Sequence, residues 1–416
     1  MIITLVAFLF ILGFAITIHE LGHFLTAKVL KIPVLKFSLG WGPALFRKKI
    51  GDTDFIIAII PVGGYVKIAG EEEGEGGWYD EPFWKRILVV FYGPVFNIIS
   101  AFLILFSIFS VSGVVINPYT SIIVEDNLYS ARAGLMTGDT IKSISGLPVE
   151  NWESALQIFN LNRGREVEIK VGRNGIEHRF KVMVNLDSLG IRPNVPPILG
   201  IVQRGEPAWK AGLKKGDRII SIDDRAISTW DELVDIVRHS PRETLTIRYL
   251  RADQEFETKV ITRVKWDEMK NESIGVMNVM MNLEHKAVSI PEALSLSLQR
   301  SSEWILLTVT ILYKIITGEV SRTNIGGPIA IAKTAGESAR WGLENLLLLL
   351  AIISINLGIV NLVPIPLFDG GLIVMNFFEG ISGRPIKKNV RFVLQQIGIA
   401  IIVILILFTL YNDITR

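Results

Sequence analysis

The first 18 residues, MIITLVAFLFILGFAITI, are apolar without interruption, and after His19-Glu20-Leu21-Gly22-His23 the apolar pattern resumes to about Leu30. Roughly 20 such residues cross a bilayer as a helix, so residues 1–30 predict a first span. The segment has neither the basic start nor the small-residue cleavage site of a signal peptide and reads as retained. Apolar runs at 88–115, 346–371 and 393–411 predict three more spans. The fold class expected is a polytopic α-helical membrane protein of four transmembrane helices, with both termini on one side. The 31–87 loop is strand-like at Leu35–Gly40 and Asp54–Ile60 with Gly51-Asp52 to turn it, whereas 372–392 reads as a plain loop.

Residues 116–282 alternate in the manner of strands and repeat themselves. Ala133–Ile144 (AGLMTGDTIKSI) matches Ala211–Ile222 (AGLKKGDRIISI) in eight of twelve positions at an offset of 78, and Trp152 and Trp230 share that offset. This predicts two copies of one small α/β module, at 116–194 and 195–282. Residues 283–345 form a connector whose Ile290–Tyr313 stretch predicts a surface helix, with Trp304 and Tyr313 as interfacial anchors.

Composition agrees with a membrane protein carrying a water-soluble part: 416 residues, 50% hydrophobic yet 20% charged, with a mean hydropathy of +0.41. A formal charge of +2 gives no footprint for nucleic acid. With no cysteine, disulfides, thiolate metal sites and cysteine catalysis are excluded, so any metal must use His, Asp or Glu. Basic residues crowd the loop after span one (Lys28 to Arg86) and the loop before span four (Arg384, Lys387, Lys388, Arg391), which places both loops in the cytoplasm and the long 116–340 segment outside.

His19-Glu20-Leu21-Gly22-His23 is H-E-x-x-H, whose histidines at i and i+4 share one helix face and can reach one metal. Zinc suits such ligands, and Glu20 can act as general base on a water that the metal polarises. Ionisable groups at membrane depth cost about 2.5–3.5 kcal/mol each on insertion scales, so they persist where they pair, coordinate or line a watery cavity. The third ligand expected is Asp369, in Asn361-Leu362-Val363-Pro364-Ile365-Pro366-Leu367-Phe368-Asp369-Gly370-Gly371, just after two prolines that break the third apolar run. Asn356 and Asn361 are further polar groups there, open to substrate contact or to bonding between helices.

The A-G-L-x-x-G-D-x-I repeats resemble PDZ domains, which bind an extended peptide at a sheet edge. Leu189-Gly190-Ile191 is similar to the hydrophobic-Gly-hydrophobic turn of a PDZ groove and is expected to serve the second copy, leaving only Ser112-Gly113-Val114 near the matching place for the first. Together with HELGH, the Asp369 motif, Gly93-Pro94-Val95-Phe96-Asn97 and Gly327-Pro328-Ile329, the chain resembles the site-2 protease family of intramembrane zinc proteases along essentially its whole length. It departs by having Phe368 before Asp369 and Leu372 after Gly371, where the family usually has Leu and then His or Arg. The resemblance implies Zn2+ held by His19, His23 and Asp369, with Glu20 catalytic. It also implies substrate contacts at Asn361 and along Gly64 and Tyr65, a membrane-associated β-loop beside the site. Implied partners are single-span membrane proteins such as a pre-cleaved anti-sigma factor, and signal peptides, in the bacterial inner membrane. The PDZ-like copies and both termini would be periplasmic and the zinc site toward the cytoplasmic side. A catalytically inactive membrane-tethered PDZ adaptor is the rival from another class.

Overall fold

The computed structural model describes residues 2–70, 77–126, 128–185, 189–267, 272–319, 326–384 and 386–415. The chain divides into a helical unit (1–111 and 288–416) and an insert (112–287).

In the helical unit the apolar runs fold as expected, with longer ends. Helix α1 spans Ile2–Val29 and α2 spans Phe83–Ser112. The third run gives Leu343–Asn361, the Asn361 helix, and the fourth gives Lys388–Thr415, the last helix. All four contain stretches long and apolar enough to cross a membrane. Strands β1 (Val34–Ile50) and β2 (Thr53–Ile68) form an antiparallel hairpin turned at Gly51-Asp52. The first part of β1 lies between two stretches of β2: Phe37 is opposite both Phe55 and Val66, and Leu39 is opposite both Ile57 and Gly64.

Three expectations change in this unit. The third helix stops at Asn361, because Pro364 and Pro366 lack the N–H that a helix interior needs. The chain then turns through Leu367 (φ +84°), a left-handed conformation unusual for a leucine, and restarts as the Asp369 helix, Asp369–Ser382, where a plain loop was expected. The connector holds two helices, Ile290–Thr317 and Pro328–Trp341. In the first of these, Trp304 packs on the cluster formed by α2 and the Asn361 helix, so it is not an outward anchor, while Tyr313 remains exposed.

At one end of this unit Glu379 is buried between two arginines. It accepts from Arg86 of α2 (2.6 Å) and from Arg391 of the last helix (2.7 Å), and both guanidinium groups lie over the Tyr79 ring. Two of the cations that mark the cytoplasmic loops in the sequence thus also tie helices together.

The insert confirms the duplication. The first copy has strands Leu147–Pro148, Thr140–Ile144, Glu166–Arg173 and Ile176–Met183 side by side, and the second has Arg225–Ala226, Arg218–Ile222, Thr244–Arg251 and Gln254–Ile261 in the same order. Each copy packs one helix on its sheet, Trp152–Leu161 or Trp230–Arg238, started by a capping box at Asn151 or Thr229. Each has its own core, around Phe159 and Ile169 or around Leu213 and Ile247. An Arg–Asp pair also recurs: Arg173 bonds Asp139 and the Gly134 carbonyl, and Arg251 bonds Asp217 and the Gly212 carbonyl.

Leu189-Gly190-Ile191 belongs to the first copy, not the second. Leu189 is buried in the first core, its carbonyl accepts from Ser130, and Ile191–Pro193 pairs with Ile122–Val124. The counterpart in the second copy is Met277-Asn278-Val279, where Val279–Met281 pairs with Leu199–Val202. Asn278 (φ +58°) takes the left-handed place of Gly190 (φ +70°), which asparagine tolerates better than most residues. The hairpin Arg263–Asp267 and Glu272–Val276 precedes that turn, so the constant offset is lost there. Ser112-Gly113-Val114 sits instead at the neck of the insert, where Val114–Ile116 pairs with Glu284–Lys286.

Candidate metal centre

The H-E-x-x-H helix presents both imidazoles on one face, as the i, i+4 spacing requires. Their Nε2 atoms are 3.2 Å apart. Asp369 reaches them from the first turn of its own helix, with Oδ2 3.0 Å from His19 Nε2 and Oδ1 3.6 Å from His23 Nε2. One ligand atom from each of the three lies within 4.8 Å of the others, the one such group among the described residues.

Zinc fits this set. Ligands about 2.0–2.1 Å from a tetrahedral zinc stand about 3.3–3.4 Å from each other, close to the spacings here. Asp369 Oδ2 is buried and accepts no hydrogen bond although His19 Nε2 is close by, so two electron-pair donors converge with no N–H aimed between them. His23 Nδ1 is 2.9 Å from the Val89 carbonyl, which can only accept. The proton of His23 therefore sits on Nδ1, and the Nε2 lone pair faces the centre.

Glycines make the close approach possible. A Cβ at Gly22 would overlap the Tyr92 carbonyl, and one at Gly93 would overlap the His23 ring, so α1 and α2 cross where neither has a side chain. Cβ atoms at Gly370 and Gly371 would overlap the carbonyls of Leu362 and Ile365, which is why the Asp369 helix can begin against the proline-broken turn.

A cavity of about 260 Å³ opens beside the three residues, lined among others by Glu20, Tyr65, Trp78, Asn361, Phe368 and Leu372. Asn361, the last residue of its helix, puts Nδ2 3.3 Å from His19 Nε2. A Cβ at Gly64 would come within 3.1 Å of Glu20 Cγ, so β2 passes directly over the glutamate. Phe368 and Leu372, the two departures from the family pattern, shape the wall.

Asn356 does not join them. It accepts from Thr308 Oγ1 (2.7 Å) on the Ile290–Thr317 helix, so it joins two helices and the expectation of substrate contact is withdrawn. Sequence reasoning missed Trp78, the Val89 carbonyl and Asn97. A backbone acceptor leaves no mark in sequence. Asn97, however, was flagged as a polar residue in an apolar run, and its Nδ2 is 3.4 Å from His19 Nδ1.

The sequence pattern of Peptidase family M50 matches residues 7–405. The chain belongs to peptidase family M50. This is the site-2 protease family of zinc metallopeptidases, so the resemblance carried by HELGH and the Asp369 motif holds for the whole chain. The M50 peptidase is 32% identical to the "Putative zinc metalloprotease" of Neisseria meningitidis, over 99% of both chains. It is also 32% identical to the Regulator of sigma-E protease RseP of Escherichia coli, over 99% of this chain and 98% of that one. Among solved structures, the PDZ domain of an SdrC-like protein of Listeria monocytogenes covers 22% of this M50 peptidase at 19% identity, with a TM-score of 0.18.

Proposed function

We propose that this M50 peptidase is an intramembrane zinc endopeptidase of the bacterial inner membrane. His19, His23 and Asp369 hold the metal, Glu20 is the base, and the substrates are single-span membrane proteins. The observation that carries this reading is the meeting of His19, His23 and Asp369 beside one cavity that Glu20 and Asn361 also line, on segments drawn from apolar helices.

When bound, zinc supplies Lewis-acid polarisation of the attacked carbonyl and of the attacking water. Glu20 takes the proton of that water as the oxygen adds to the peptide carbon, and returns it to the departing amide nitrogen, so that one C–N bond is exchanged for one C–O bond. The Asn361 amide donates to the substrate backbone. The Gly64–Tyr65 stretch of β2 offers a strand edge for a substrate that has left its helix, because a helical peptide bond is shielded by its own ladder. Trp78, Val89 and Val90 keep the rest of the wall apolar.

In this reading the two copies in the insert are tandem PDZ modules that act as a size filter, admitting substrates whose external part has been trimmed, such as a pre-cleaved anti-sigma factor or a remnant signal peptide. The insert, both termini and the copies face the periplasm, and the metal lies toward the cytoplasm, as the basic loops indicate. The decisive experiment is metal analysis of purified protein together with cleavage of a model transmembrane peptide. One zinc per chain and cleavage support the reading, and zinc without cleavage favours an inactive adaptor. Deleting 116–280 with a short linker should then permit cleavage of the untrimmed substrate. If the deletion variant still cuts a short peptide but leaves that substrate intact, the filter is wrong.

A further inference from the structure

Asn97 is fully buried in α2 and faces the outer nitrogen of His19. Nothing in the chemistry above uses it. Its backbone is held firmly: the Asn97 carbonyl accepts from Ser100 Oγ (2.9 Å) and from Ser354 Oγ of the Asn361 helix (3.0 Å). Its Cβ lies 3.3 Å from where a Cβ on Gly358 would be, so the third helix closes on it without a side chain between. The side chain thus sits where α1, α2 and the Asn361 helix meet, with its amide pointed at one imidazole.

The amide carries a donor and an acceptor on one rotating group. With its nitrogen toward His19, Nδ1 must accept, the imidazole proton moves to Nε2, and His19 cannot give that lone pair to a metal. A half-turn brings Oδ1 to the same place. The contact with His19 is kept, now with Nδ1–H donating, and Oδ1 gives up no partner, since as placed it has none. His19 then matches His23, whose Nδ1–H already donates to the Val89 carbonyl. Both Nε2 lone pairs face Asp369.

The geometry points to Asn97 as the positioning residue of the metal centre, whose oxygen accepts from His19 Nδ1–H and so selects the tautomer that binds zinc. Outer partners of metal-binding histidines generally hold ring orientation and tautomer in this way, and their loss weakens metal binding about 10–100-fold. The inference rests on His19 being a zinc ligand.

The test uses the full-length chain in detergent, with zinc affinity read by competition against a chelator. Asn97→Leu keeps the size and removes both polar atoms. Asn97→Asp keeps the size and the acceptor and removes only the donor. Asn97→Leu should bind zinc about 10–100-fold more weakly, while Asn97→Asp should stay within about threefold of the wild type, since a carboxylate is itself a common partner of a metal-binding histidine. Asn97→Ser, a smaller variant, should fall between them and covers the case in which the leucine variant does not fold. If Asn97→Leu or Asn97→Ser binds zinc as the wild type does, the oxygen selects nothing and the inference fails. If Asn97→Asp is as weak as Asn97→Leu, the acceptor is not what matters and it fails as well. His19→Ala in the same assay separates the two readings: wild-type zinc affinity there removes His19 as a ligand, whatever Asn97 does.

Discussion

Buried polar groups are used in opposite ways in the two units. In the insert they close turns within one copy and recur in the other: Asp139 with Arg173 is repeated as Asp217 with Arg251, and the Asn151 cap as the Thr229 cap. In the helical unit they come from different helices and recur nowhere else: His19 and His23 with Asp369, Asn97 with His19, and Glu379 with Arg86 and Arg391. An interaction that is copied along with a module belongs to its scaffold. One that joins distant segments once, in an apolar setting where unpaired charge is expensive, carries chemistry or holds the elements that do. Substitutions in the helical unit should therefore strike function or the whole bundle, and those in the insert should stay within a single copy.

The largest effects are expected at the ligands. His19→Ala, His23→Ala and Asp369→Ala should each lose both bound zinc and peptide cleavage, measured by metal analysis and a transmembrane-peptide assay. A normal zinc content in Asp369→Ala would mean that the third ligand lies elsewhere. Glu20→Gln should separate the two properties: zinc stays, and turnover falls about 10²–10⁴-fold, because an amide cannot take the proton. Substantial turnover by that variant would remove Glu20 as the base.

Next in size is Glu379→Ala. It strands Arg86, a buried cation, without its counter-charge, and breaking such pairs costs about 3–5 kcal/mol. Thermal unfolding of the detergent-solubilised protein should show a larger drop for Glu379→Ala than for Arg251→Met in the insert. Equal drops would show that the Glu379 cluster is one more local clamp and would blur the contrast between the units.

How much of this was legible in the sequence follows from the same contrast. The duplication was readable because its elements sit at one constant offset, and the metal centre because histidines four apart on a helix must share a face. The Asp369 helix was missed because the prolines were taken to end a span, and Gly370 and Gly371 looked like loop residues when they permit a close helix start. The groove turn went to the wrong copy because Leu189 lies near the start of the second module in sequence, while the strand it leads into pairs back with Ile122–Val124. Asn278 could not be matched to Gly190 by identity, since what they share is a backbone angle. Asn356 and Asn361 are alike in composition and pattern, and only the neighbouring helix decides that one bonds Thr308 and the other faces His19.

The smallest effect concerns the Asp139–Arg173 clamp and acid. Burial pushes the Asp139 carboxyl upward, but the hydrogen bonds from Arg173 and from the Met136 N–H, together with the charge of Arg173, outweigh it and hold the group below the ordinary aspartate value of 3.8. Folding therefore favours the ionised form. The stabilisation is fully present above the ordinary value and is lost as pH falls through the lowered folded one. Hydrogen exchange on the intact protein should show Thr140–Ile144 and Glu166–Arg173 losing protection as pH drops from about 5 toward 3, after correction for the intrinsic rate. In Asp139→Asn the same strands should begin less protected at neutral pH, by about 1–3 kcal/mol for a lost charged hydrogen bond, and should change little over that range. The loss at neutral pH should stop at the first copy, leaving Arg218–Ile222 and Thr244–Arg251 as in the wild type. If the second copy loses protection as well, the clamps are not local, and the two copies are coupled rather than merely repeated.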